Sequence, residues 1–113
     1  MTVTIYHNPR CSKSRATLAL IEDKGITPTV IAYLDTPPSV AELKEILRLL
    51  GKTPRQLLRH DEAEEFGLNN PALSEEELLL GMVAHPIVIE RPIVVAKGKA
   101  VLGRPPENVL TIL

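Results

Sequence analysis

The chain has 113 residues, 44% hydrophobic and 24% charged, which is enough for one compact domain with a core and too little to expect a second. Thirteen Lys and Arg against fourteen Asp and Glu leave a formal charge of −1, so composition gives no reason to expect broad binding to nucleic acid or to an anionic membrane, and any positive site has to be local. The longest uncharged run, residues 78–89, is twelve residues long and is broken by His85 and Pro86, too short to span a bilayer.

Residues 2–6 are β-branched and short and run straight into Asn8-Pro9, the pattern of a buried strand entering a loop, with Cys11 directly after it. Over residues 12–24 the apolar set Ala16, Leu18, Ala19, Leu20 and Ile21 predicts a helix packed on a sheet, with Gly25 at its C′ position. Residues 29–34 repeat the strand pattern, and strand, helix, strand in so short a span is the parallel crossover unit. Ser39 with Glu42 forms a capping box, and Leu43, Ile46, Leu47 and Leu50 then fall at i, i+3, i+4 and i+7 before Gly51. Thr53 with Gln56 repeats the box with Pro54 at the first helical position and Leu57 and Leu58 as a short apolar face. Ser74 with Glu77 makes a third box, Leu73 and Leu78 are spaced as a hydrophobic staple, and Leu79, Met82 and Val83 continue the stripe to His85-Pro86. Residues 39–84 therefore read as a helical insert. Residues 92–96 read as a strand, Lys97-Gly98-Lys99 as a tight turn, 100–102 as its hairpin partner and 105–112 as a last helix. The fold class expected is α/β: a mixed four-stranded sheet in the thioredoxin-like order with a helical insertion after the second strand, one domain over residues 1–113.

Cys11 falls at the strand-to-helix junction, where its sulfur can face the unpaired N–H groups of Ser12, Lys13 and Ser14, a position that favours thiolate. Arg10, Lys13, Arg15 and His7 add nearby cationic or hydrogen-bonding groups. A lone cysteine is commonly an inert buried hydrophobe, but such residues seldom sit among Arg, Lys, Ser and Asn at a helix start. Ser14 stands where the second thiol of a C-x-x-C motif would be, so a second thiol must come from another molecule. One cysteine also rules out an internal disulfide framework, and no basic segment followed by an apolar one opens the chain, so a cytoplasmic location without a secretion signal is expected. The C-x5-R spacing of phosphotyrosine-type loops and a Gly-rich phosphate loop are both missing. His7, His60 and His85 lie far apart with no cysteine pair or H-E-x-x-H, so no metal site is expected.

The run His7-Asn8-Pro9-Arg10-Cys11-Ser12-Lys13-Ser14-Arg15 resembles the ArsC-type, glutaredoxin-linked arsenate reductases. The resemblance continues through Tyr33-Leu34 with Pro37-Pro38, Leu57-Leu58-Arg59, His85-Pro86-Ile87, Arg91-Pro92-Ile93-Val94-Val95 and Gly103-Arg104-Pro105, essentially the whole chain. It implies a thioredoxin-like fold with a helical insertion, a Cys11 thiolate that attacks the arsenic of bound arsenate, and Arg59, Arg91 and Arg104 as oxyanion-binding residues. It also implies that His7 favours the thiolate, that Asn8, Ser12, Ser14 and Arg15 support the loop and helix start, and that Pro92 is a cis-proline facing the cysteine. No bound cofactor is implied. Glutathione is the co-substrate that attacks the Cys11 adduct, and glutaredoxin completes the reduction to arsenite. Arg10 departs from better-known members, which carry a small residue there. Two other readings stay open: a regulatory protein similar to the Spx branch, which binds RNA polymerase and often uses C-x-x-C, and a general glutathione-dependent thiol oxidoreductase. An oxyanion and a thiolate are both negative, so any of these chemistries at an oxyanion needs guanidinium and N–H donors gathered by folding.

Overall fold

The computed structural model describes residues 2–113. Its element order is β1 (Val3–His7), α1 (Ser12–Asp23), β2 (Thr29–Ala32), α2 (Val40–Leu50), α3 (Pro54–Leu57), α4 (His60–Glu65), α5 (Glu75–Ala84), β3 (Ile93–Ala96) and β4 (Lys99–Leu102). Short 3-10 helices span Pro86–Val88 and Pro106–Thr111. The chain forms two compact units, one of Met1–Thr36 with Arg91–Leu113 and one of Pro37–Glu90.

The first unit holds the sheet, in the order β2-β1-β3-β4. β1 runs parallel to β2 with Ile5 opposite Val30, and antiparallel to β3 with Ile5 opposite Val94. β3 and β4 form an antiparallel hairpin, Val94 opposite Val101. This is the mixed thioredoxin-like sheet expected from the order of the strand and helix patterns. Val3, Ile5, Ile21, Val94, Ala96, Val109 and Ile112 make its core, because alternate residues of β1 and β3 turn the same way and meet Ile21 of α1 and the C-terminal 3-10 helix. The hairpin turn has both Lys97 and Gly98 at positive φ, 55° and 69°, the signature of a type I′ turn. Lys99 is therefore paired with Ala96 rather than standing in the turn.

Two local expectations are corrected. The buried residues of α1 are Ser14, Thr17 and Ile21, whereas Ala16 and Ala19 are exposed. The inward face thus carries two hydroxyls that an apolar pattern does not reveal. The C-terminal helix is 3-10 rather than α, six residues with Pro106 in its first turn.

The second unit is helical. Ser39, Thr53 and Ser74 cap α2, α3 and α5 through complete capping boxes, and Gly51 closes α2 in the left-handed conformation at φ 67°. Leu43, Ile46, Leu47, Leu57, Leu78, Leu79 and Met82 are buried. The helix α4 was not expected: its sequence, HDEAEE, has one buried apolar residue, Ala63, and its N-cap Arg59 makes no side-chain capping bond.

Candidate active site

The loop from His7 to Arg10 is built by the first turn of α1. Ser14 Oγ, fully buried, accepts from the Asn8 N–H at 3.0 Å and lies 2.7 Å from His7 Nδ1. Asn8 Oδ1 accepts from the Arg10 N–H at 3.0 Å and the Asn8 carbonyl from the Cys11 N–H at 3.0 Å, an Asx turn that sets the approach to the cysteine. Arg15 reaches back and donates through Nη1 to the Pro9 carbonyl at 2.8 Å. Ser14 and Arg15 thus tie the loop at both its buried and its exposed side, and Ser12 occupies the exposed first position of α1.

Cys11 is the N-cap of α1, with extended backbone (φ −92°, ψ 122°) and partial exposure. Its thiol closes no capping hydrogen bond of its own, as befits a weak acceptor, but the groups around it favour the anion. Burial pushes the thiol up. The Ser14 amide, the Arg91 guanidinium and the Lys13 amide, with the charge of Arg91, outweigh burial, so the net direction is down from the ordinary thiol value. An N-cap residue without a side-chain oxygen leaves the first amides of the helix free for this task.

His7 contributes differently. Burial, and then the charge of Arg15, hold its ring below the ordinary imidazole value, so the neutral form is favoured. Its Nδ1 is tied to the Ser14 hydroxyl. With Ser14 Oγ already accepting from Asn8, donation of the hydroxyl proton to Nδ1 satisfies both groups.

Arg91 and Arg104 come from the two ends of the β3–β4 hairpin. The Arg91–Pro92 and Arg104–Pro105 bonds are both cis, and the second was not anticipated. Arg91 Nε and Nη1 are buried and meet no hydrogen-bond acceptor among the described residues. Arg104 Nη1 donates to the Arg91 carbonyl at 3.2 Å, bracing the residue that faces the thiol. Gly103 packs so closely on Thr17 of α1 and on the Pro92 ring that no Cβ fits, and its N–H donates to the Pro92 carbonyl at 2.9 Å. Helix α1 and the hairpin are thereby locked together behind the cysteine.

Arg59 belongs to the second unit, where Nη2 donates to Glu62 Oε1 at 2.9 Å. The spacing of Glu62, three residues on at a helix start, could have revealed that pairing. Among the described residues no three His, Cys, Asp or Glu side chains gather as a metal cage, and no helix is long and apolar enough to cross a membrane.

Comparison with known proteins agrees with this arrangement. The model of the ArsC family matches residues 6–112. The chain is 50% identical over 114 residues to an arsenate reductase of Neisseria meningitidis serogroup A (strain DSM 15465 / Z2491), covering 98% of this chain and 97% of that protein. It is 53% identical over 115 residues to an arsenate reductase of Rhizobium meliloti (strain 1021), covering 100% of this chain and 82% of the relative. The solved arsenate reductase from Vibrio cholerae superimposes with a TM-score of 0.95 at 52% identity, over 100% of this chain and 98% of that one. The match of the family model from Tyr6 to Ile112, with relatives about half identical over nearly the whole chain, makes this chain a member of the ArsC family.

Proposed function

We propose that the protein is an arsenate reductase working through a single thiol, with glutathione and glutaredoxin supplying the reducing equivalents. The observation that carries this reading is the pair of buried, unpartnered N–H groups on Arg91 beside the Cys11 sulfur. A buried donor without an acceptor costs about 1–3 kcal/mol, and a bound tetrahedral oxyanion would relieve it while offsetting its own repulsion from the thiolate. Arg104 positions Arg91, and Arg59 is assigned to the oxyanion on the resemblance. Ser14 and Asn8 hold the loop, His7 acts as a positioning residue through Ser14, and the two units function as one domain.

Cys11 sulfur attacks arsenic and an arsenic-bound oxygen leaves as water, giving a pentavalent thiolate adduct. The glutathione sulfur then replaces a second oxygen, again with loss of water. A glutaredoxin thiolate attacks the glutathione sulfur; the arsenic–sulfur bond breaks toward arsenic, which gains two electrons, and a glutathione–glutaredoxin disulfide departs. Water displaces trivalent arsenic from Cys11 as arsenite and restores the thiol. In sum, arsenate and two thiols become arsenite, one mixed disulfide and one water. A free thiol that must stay reduced between turnovers suits the cytoplasm.

Supplied with arsenate, glutathione, glutaredoxin and glutathione reductase, the protein is expected to drive NADPH oxidation, and intact-mass analysis should find the arsenic adduct on Cys11. Cys11→Ser should abolish both while leaving the circular-dichroism spectrum unchanged. No oxidation under conditions where a relative turns over ends the proposal. Reduction of a glutathione mixed disulfide without any response to arsenate would make the protein a general thiol oxidoreductase instead.

A further inference from the structure

The adduct on Cys11 needs a second sulfur from outside, because the neighbouring C-x-x-S position holds the buried hydroxyl of Ser14. A cleft of about 310 Å³ lies alongside the catalytic loop, lined by the turn from His7 to Arg10 and by Ala32, Leu34 and Asp35. That volume is at the small end for ligand sites. Cys11 is not in its wall, but Arg10, the residue before it, is.

Arg10 and Asp35 are both exposed, and among the described residues neither side chain has a hydrogen bond or an ion pair. Their backbones are nonetheless fixed, Arg10 N–H to Asn8 Oδ1 at 3.0 Å and Asp35 N–H to the Ala32 carbonyl at 2.9 Å. Pro9, Ala32 and Leu34 give the lining an apolar part, and His7 and Asn8 add polar groups. Opposite charges that share a wall without neutralising each other suit a ligand that carries both signs. A plain oxyanion would be attracted by Arg10 and repelled by Asp35, so the cleft is a poor second seat for arsenate. An amphoteric peptide thiol fits: a carboxylate for the guanidinium fork, an ammonium for the aspartate, and methylenes for the apolar part of the lining.

We propose that this cleft seats the thiol co-substrate, a small peptide thiol of the glutathione class, with Arg10 binding a carboxylate, Asp35 binding the ammonium and the ligand's sulfur extending past Arg10 to Cys11. The inference rests on reading Cys11 as the single thiol of an arsenate reductase. In the step it serves, the ligand's sulfur bonds to the pentavalent arsenic of the adduct, and an arsenic-bound hydroxyl leaves with the thiol proton as water, with no change of oxidation state.

The test has two arms. In the first, S-methylglutathione, which cannot react, is titrated into the isotopically labelled full-length protein and amide shifts are followed by NMR. The expected shifts cluster at residues 7–10 and 32–35, and Arg10→Ala and Asp35→Asn each weaken binding roughly three- to fivefold, the scale of an exposed charge contact. Absent shifts, shifts centred elsewhere or unchanged affinity in both variants overturn the proposal. In the second, each variant is expected to raise the KM for glutathione by that factor relative to the KM for 2-mercaptoethanol, which has neither charge. Equal losses with both thiols would refute it. Lack of arsenate turnover by the unmodified protein would instead remove the arsenate reading, and the NMR arm would still decide whether the cleft binds the peptide.

Discussion

Cys11 owes its acidity to two backbone amides and one guanidinium, and these can be separated experimentally because only the guanidinium can be mutated away. Arg91→Ala should raise the apparent pKa seen in the pH dependence of Cys11 alkylation by iodoacetamide, and Arg91→Lys should restore part of the shift by charge alone. Arsenate turnover, kcat/KM, should fall by about 10²–10³ in Arg91→Ala, the usual cost of removing a donor aimed at developing oxyanion charge. An unchanged alkylation profile would mean that the amides of Ser14 and Lys13 suffice. The sign of the thiol's coupling to folding follows from the same direction: its folded pKa lies below the unfolded one, so its stabilisation is present above the unfolded value and is lost as pH falls through the folded value. The downward direction of the thiol's shift was legible in the sequence because two of the groups that cause it, the Lys13 and Ser14 amides, lie within three residues of Cys11. Arg91 was not legible in the same way, since eighty positions separate it from Cys11 and only the resemblance pointed to it. For His7 the sequence offered a cationic or a hydrogen-bonding role; burial, and then the charge of Arg15, push its ring below the ordinary imidazole value, and its Nδ1 lies 2.7 Å from Ser14 Oγ.

Among the elements, those with local start signals were readable and those without were not. Ser39, Thr53 and Ser74 each declare a helix by capping chemistry completed within four residues, and all three helices begin where those boxes stand. Helix α4 has neither a side-chain cap nor an apolar stripe and is held through Ala63 and the Arg59 N–H bond to the Val88 carbonyl, at 2.7 Å, contacts that exist only after folding. The inward hydroxyls of α1 were hidden for a related reason, because polar residues facing a site look like polar residues facing water. Thr17 is one of them, and its contact with Gly103 joins α1 to the hairpin. Gly103→Ala would drive a methyl into Thr17 Oγ1 and the Pro92 ring, so a loss of about 1–3 kcal/mol is expected, read as a lower urea midpoint with unchanged slope. A midpoint equal to that of the unmodified protein would show that the two elements can part without cost.

For the molecule as a whole, a net charge of −1 conceals a division. The unit with the sheet carries eight Lys and Arg against four Asp and Glu, while the helical unit carries five against ten. A dianionic substrate therefore approaches a cationic unit even though the chain is nearly neutral, which agrees with the expectation that positive charge would be local. Raising ionic strength from about 0.01 M to about 0.15 M shortens the screening length from roughly 30 Å to roughly 8 Å, so kcat/KM for arsenate should drop several-fold while the rate with neutral 2-mercaptoethanol at saturating arsenate stays level. A flat salt profile would confine the attraction to Arg91 and its immediate neighbours.

The buried hydroxyl of Ser14 also bears on how one-sulfur and two-sulfur enzymes of this architecture could interconvert. Replacing that oxygen with sulfur would create a dithiol on paper, yet the same atom anchors both His7 and Asn8. A longer, weaker acceptor there would slacken the turn that presents the nucleophile, so acquiring an internal disulfide would require rebuilding the loop as well as changing one codon.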